Sequence, residues 1–198
     1  MRRLTEPLRR RLKIMLSRAV GRLVDPSTLL QTMQLELLKG EVLDGIEHME
    51  GYGRTANPPA GFEALTGSMG GDRAHTVAIA TVHRQSRLLG LKPGEQALYD
   101  DQGQVIALLR DKIIHIYGCA RLVADVATEV TVTCPLVRVV ASSKVRFETP
   151  RLEVTGEIVD RCDADGRSME QMRTTYDSHT HPENDNGGPT GAPNQQIG

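Results

Sequence analysis

Apolar and polar residues alternate with period two over much of this chain, the pattern of strands covered on one face. The clearest run is Thr76-Val-Ala-Ile-Ala-Thr-Val82, which reads as a buried strand. Upstream, Asp25-Pro26-Ser27 is a turn, and Met33 to Leu38 and Val42 to His48 flank Lys39-Gly40. A loop rich in Gly, Asn and Pro follows from Gly51 to Gly61. Downstream, Leu91-Lys-Pro-Gly-Glu95 is a turn, Ala97-Leu-Tyr-Asp leads into Asp101-Gln102-Gly103, and Val105 to Leu109 is a strand. Asp111-Lys112 turns the chain into Ile113-Ile-His-Ile-Tyr117. Short strands with turn signals roughly every 8–12 residues predict a small sandwich or barrel. Residues 25–112 have the length of a five-stranded OB-like β-barrel. Residues 1–24 have another period: Leu4, Leu8, Leu12, Met15, Leu16 and Val20 recur at helical spacing. They predict a basic N-terminal helix or arm.

Residues 113–160 carry a repeat. Val130, Val132, Pro135, Val137, Val139 and Ala141 return fifteen residues later as Val145, Phe147, Pro150, Leu152, Val154 and Gly156. A weaker earlier copy matches Ala120, Leu122, Ala124 and Val126 to Pro135, Val137, Val139 and Ala141. Each copy alternates with period two and switches phase near its proline, which cannot donate to a ladder and sits at bends or edges. A strip of this kind has one apolar face and too little width to bury it alone. Three intertwined copies would line an axis with Val130, Val132, Val137, Val139, Phe147, Leu152 and Val154. Arg138, Lys144, Arg146, Glu148, Arg151, Glu153 and Glu157 would then face out. The competing reading is an ordinary meander attached to the barrel.

Composition favours assembly. The 198 residues include no Trp, two Phe and four Tyr, little aromatic bulk for the core of a monomer of this size. Residues 1–25 hold eight Lys/Arg against Glu6 and Asp25; the remainder holds sixteen basic and twenty-three acidic residues, a net charge of −7. An acidic body is not built for nucleic acid. Three cysteines, Cys119, Cys134 and Cys162, form no Cys-x-x-Cys, which points to reduced thiols and synthesis in a cytoplasm. No apolar run reaches membrane-spanning length, and the basic N-terminus lacks the core of a signal peptide.

The candidate chemistry lies in residues 169–198, where His179-Thr180-His181-Pro182 precedes a run rich in Asn, Gly and Pro. In extended backbone, residues i and i+2 share a face, so His179 and His181 can aim two imidazoles at one metal ion. Two ligands are too few; a threefold assembly supplies six, enough for an octahedron. The bland reading is a pair of exposed histidines in a loose terminus. Metal-dependent hydrolases with His-x-His-Pro need a downstream Ser-x-x-Asp, yet no serine follows Ser178, and Asp185 is the last aspartate. A cupin needs a Glu further on than Glu183 and a second motif, which the remaining chain cannot hold. No catalytic residues are assigned, and no enzymatic activity is expected. Asp160, Asp163 and Asp165 lack the Gly and Glu of an EF-hand loop and read as a solvated turn. Gly70-Gly71-Asp72 lacks the Lys-Ser/Thr of a phosphate loop.

These parts, in this order, resemble the central baseplate spike of contractile-tailed phages, the Mu gp45 / baseplate assembly protein V family. Leu91-Lys-Pro-Gly-Glu-Gln-Ala-Leu-Tyr-Asp-Asp-Gln-Gly103 is similar to that family's barrel-domain segment. The Val-x-Val and Pro-x-Val-x-Val repeats resemble its triple-stranded β-helix. Tyr176-Asp-Ser-His-Thr-His-Pro182, with Thr190-Gly-Ala-Pro-Asn-Gln195, resembles its apex. The resemblance implies a mainly β homotrimer: an OB-like base, an intertwined shaft over 113–168 and a metal-bearing apex over 169–198. It implies one Fe per trimer on His179 and His181 of three chains, with room for axial Ca or Cl ions at no particular residue. It implies a virion component at the tail tip that joins a baseplate hub protein and the tail tube. On sheath contraction it would be driven through the host outer membrane. A trimeric receptor-binding fibre or adhesin shares the shaft logic, but the tail after Tyr176 has no aromatic platform for a glycan.

Overall fold

The computed structural model describes residues 15–183 and 187–197, and the chain divides into two compact units between Glu129 and Val130. In the first unit five strands close into a barrel. They are β1 (Leu16–Asp25), β2 (Thr32–Leu38), β3 (Glu41–His48), β4 (Glu63–Ser68) and β5 (Thr76–Val82), ordered β1-β2-β3-β5-β4. All neighbours are antiparallel except β3 and β5, which pair in parallel through Glu47↔Val77 and His48↔Ala78. Five strands in this order form an OB-like barrel. Inward positions alternate along each strand and supply the core: Ala19, Met33, Leu35, Ile46, Phe62, Ala64 and Ala78. The turns have their expected chemistry. Asp25 Oδ1 accepts the Ser27 hydroxyl at 2.6 Å and the Ser27 N–H at 2.9 Å, an Asx-turn. These bonds, the hydroxyl first, hold the Asp25 carboxyl below its ordinary value. Gly40 takes the left-handed conformation between β2 and β3, and its N–H donates to Glu36 at 3.0 Å.

The helix expected over residues 1–24 is corrected in its second half. Residues 16–25 are strand β1, paired with β2 and β4; residues 1–14 lie outside the described residues. Of the residues that set the helical spacing, the two within β1, Leu16 and Val20, are exposed on the outside of the barrel. The two fully buried residues of β1 are small, Ala19 and Gly21, and Val24 packs partly buried against the core. Gly21 is small for a steric reason. A Cβ at this position would lie 2.0 Å from two atoms of the Phe62 ring. The backbones are locked together as well, with Gly21 N–H to Phe62 O at 2.7 Å and Gly61 N–H to Gly21 O at 2.9 Å. Phe62 is fully buried and cannot swing aside. Gly21→Val is therefore expected to lower stability by about 1–3 kcal/mol or more through overpacking. Adding Phe62→Leu should recover part of that loss. Denaturant unfolding of both variants measures this, and an unchanged midpoint for Gly21→Val would refute the packing account.

The barrel also ends earlier than expected. β6 (Gln96–Tyr99), β7 (Val105–Leu109) and β8 (Ile113–Tyr117) form a separate antiparallel meander. The barrel strands span Leu16–Val82 rather than 25–112, and the Leu91–Gly103 segment leads into the second sheet. Ile113–Tyr117, expected within the shaft, pairs with β7. A barrel closed by β1 and β4 leaves no free edge for further strands, so the later ones need a sheet of their own.

Beyond β8, residues 118–158 form neither strand nor helix within the single chain. Their bends keep the period of the sequence repeat. Ala120, Pro135 and Pro150 bend at fifteen-residue intervals, and Ala127-Thr128 and Ser142-Ser143 do the same. The bend position is built alike in two copies: Cys134 Sγ–H donates to Leu136 O at 3.3 Å, and Thr149 Oγ1–H to Arg151 O at 2.9 Å. Val130, Val132, Val137, Val139, Phe147, Leu152 and Val154 are each 50–70 % exposed. Burying such a side chain fully contributes about 1.5–3 kcal/mol, so this chain leaves much of its apolar free energy unrealised.

At the end of this stretch Val159 bridges Ser168 across a tight loop. Asp160 Oδ1 accepts the Arg167 N–H at 3.2 Å, and Arg161 pairs with Asp165 at 2.8 Å. A Cβ on Gly166 would lie 1.8 Å from the Asp160 carbonyl oxygen, so only glycine fits there. The chain then enters α1 (Met169–Ser178). Among the described residues no helix is long and apolar enough to cross a membrane.

Candidate metal site at the helix end

α1 starts on a capping box. Ser168 Oγ accepts the Gln171 N–H at 3.2 Å, and Gln171 Oε1 accepts the Ser168 N–H at 3.0 Å, satisfying two free backbone donors reciprocally. The motif Ser168-Met-Glu-Gln171 is legible in the sequence and was the available sign of this helix. The helix stops at His179, which is extended at φ −70°, ψ 149°. Pro182 keeps the chain from resuming a helix, since the residue before proline avoids helical backbone.

Just beyond this exit the two histidine rings lie close together. Their ring centroids are 5.0 Å apart, with the planes at 85°. The Tyr176 ring packs against His179 at 5.3 Å. His179 Nδ1 lies 2.5 Å from the Tyr176 carbonyl oxygen. A carbonyl only accepts, so Nδ1 carries the hydrogen in this contact, which in a neutral ring leaves Nε2 with the lone pair. Metal-binding histidines are commonly oriented in this way.

These residues fit a metal. Two imidazoles bound side by side to one ion at about 2.1 Å would have centroids roughly 4.6 Å apart, close to the 5.0 Å observed. One chain supplies only this pair: among the described residues no group of three or more His, Cys, Asp or Glu side chains comes together. The other histidines are placed elsewhere. His48 is buried with Nδ1 3.1 Å from Gln31 Oε1, and His83 Nδ1 lies 2.7 Å from Ser86 Oγ. His115 packs on Tyr117, and His75 ends a short 3-10 turn.

The tail returns to the helix end. His181 N–H donates to Thr190 Oγ1 at 2.8 Å, and Thr190 N–H donates to the His181 carbonyl at 2.8 Å. Further on, Ile197 N–H donates to Asp177 Oδ1 at 2.8 Å. Tyr176, Asp177 and Thr190 stand in the two segments that carry the apex resemblance, but a motif reading gives none of their contacts. Those contacts are set by distance in space, and nothing in the sequence reports that distance.

Comparison with known proteins agrees from barrel to tail. A family model described as bacteriophage Mu Gp45, N-terminal, matches residues 18–85, which cover the barrel. The baseplate puncturing device gp45 of Escherichia phage Mu is 31% identical over 201 residues, covering 96% of this chain and 93% of that protein. The Mu-like prophage FluMu protein gp45 of Haemophilus influenzae is 31% identical over 156 residues, covering 79% of this chain and 80% of that protein. The Mu protein is named as a baseplate puncturing device, and neither relative is named as an enzyme. With a barrel under the family model and an alignment running nearly end to end, the chain belongs to the bacteriophage Mu Gp45 family.

Proposed function

We propose that three copies of this chain form the membrane-piercing central spike of a contractile phage tail. The observation that carries this reading is the uncovered apolar strip from Val130 to Val154. It occurs in a relative of a protein named as a baseplate puncturing device. Three strips wound about one axis would pair their backbones between chains and bury those side chains as a triple-stranded β-helix. The fifteen-residue bends would recur as its corners. The barrel would form the base, joined to a baseplate hub protein and the tail tube, and residues 169–198 would form the apex. Iron held by His179 and His181 from three chains would supply a cross-link where the spike is too narrow for an apolar core. The spike would thus meet the host outer membrane with a point that resists splaying.

Light scattering on the full-length protein tests the assembly. A mass of three chains at micromolar concentration is expected, and a stable folded monomer would contradict the reading. Binding of the intact protein to lipopolysaccharide with receptor-like saturation would instead favour a receptor-binding fibre.

A further inference from the structure

We infer that Thr190 is a positioning residue for the paired imidazoles, latching His181 to the returning tail. The inference rests on the metal reading of His179 and His181. The two histidines are held in different ways. The ring of His179 is fixed directly, by the Tyr176 carbonyl 2.5 Å from Nδ1 and by the Tyr176 ring. His181 stands two residues beyond His179 on extended chain, and it is gripped through its backbone. Its N–H reaches Thr190 Oγ1 at 2.8 Å, and its carbonyl receives the Thr190 N–H at 2.8 Å. One residue thus satisfies both backbone polar groups of the ligand, across nine positions of sequence. Thr190 is half-buried, while Pro189 and Gly191 on either side are exposed. The second tie, from Ile197 N–H to Asp177 Oδ1 at 2.8 Å, anchors the far end of the tail to α1.

The physical consequence is preorganisation. A ligand on a free extension samples many directions, and binding must freeze it. A latched backbone leaves only the side-chain torsions of His181 to settle. Groups that orient metal ligands without touching the metal typically change affinity by about 10–100-fold. Thr190 has the right chemistry for this task. Its hydroxyl oxygen accepts the amide, and its own amide donates back. Valine has the same shape, keeps the amide and lacks the acceptor; serine keeps both.

The test uses the full-length assembled protein loaded with ferrous iron, with metal transfer to a competing chelator followed over time. Thr190→Val is expected to release metal about 10–100-fold faster than wild type and to speed exchange of the His181 amide hydrogen. Thr190→Ser is expected to behave as wild type in both measurements. The mass by light scattering should be the same for all three proteins. Equal release from wild type and Thr190→Val, or a Ser variant as leaky as the Val variant, overturns the latch and leaves the six-imidazole site standing. A wild-type protein that takes up no iron overturns the site itself, and the latch with it.

Discussion

Val139→Asp is expected to abolish assembly and leave single chains. Val139 is 67% exposed in the isolated chain, so nothing within one chain penalises an aspartate there. In the proposed spike it points to the threefold axis. Each trimer would then hold three carboxylates around that axis without partners. Even after relaxation, the penalty for a buried charge is several kcal/mol per ion, on the order of 10 kcal/mol per trimer. The neighbouring Val140 supplies a control. It is 81% exposed in the single chain, and strand alternation turns it outward when Val139 turns in. Val140→Asp should therefore assemble normally. Sedimentation or light scattering at micromolar concentration should give monomer mass for the first variant and trimer mass for the second. Equal behaviour of the two variants would break the inward assignment, even if the protein were a trimer.

The contrast between Val139 and Val140 also marks how far a sequence can be read. Alternation located the apolar strip and predicts its two faces, because side-chain direction along extended chain is a local property. It located β2, β3, β5, β7 and β8 for the same reason, helped by Asp25, Gly40 and other turn residues. It failed at β1, where Ala19 and Gly21 are the buried residues and Leu16, Val20 and Leu23 are exposed. Gly21 is kept small by Phe62, some forty positions away, and a local period cannot see that. Closure of the barrel before β6 is likewise a pairing between distant strands. α1 was masked by polar, low-contrast composition, although its capping box was in view. In the candidate site, the His179/His181 spacing is legible in the sequence, whereas the contact of Thr190 with His181 exists only once the tail folds back. Local geometry is legible in the order of residues; partners brought together by the fold are not.

His181→Ala is expected to remove the metal and leave the trimer. Elemental analysis of the wild type should give about one iron per three chains, since each chain brings two imidazoles and octahedral binding takes six. The substitution takes three of the six nitrogens from every site at once, so loss should be complete rather than graded. His179→Ala should do the same, and it also leaves the Tyr176 carbonyl without the donor 2.5 Å away. The proposed assembly, by contrast, would draw on the apolar strip between Val130 and Val154, where each fully buried residue contributes about 1.5–3 kcal/mol. That term is untouched by a change beyond α1, so light scattering should still report three chains. What should change is the apex, where three chain ends would no longer be tied together. Residues 169–197 should become more open to proteolysis and amide exchange, while the barrel keeps its protection. Metal retained in the double His179→Ala/His181→Ala variant would place the ion elsewhere, and a ratio near one per chain would rule out sharing around a threefold axis. Loss of both metal and trimer in the single variant would mean that the point, rather than the shaft, holds the three chains together.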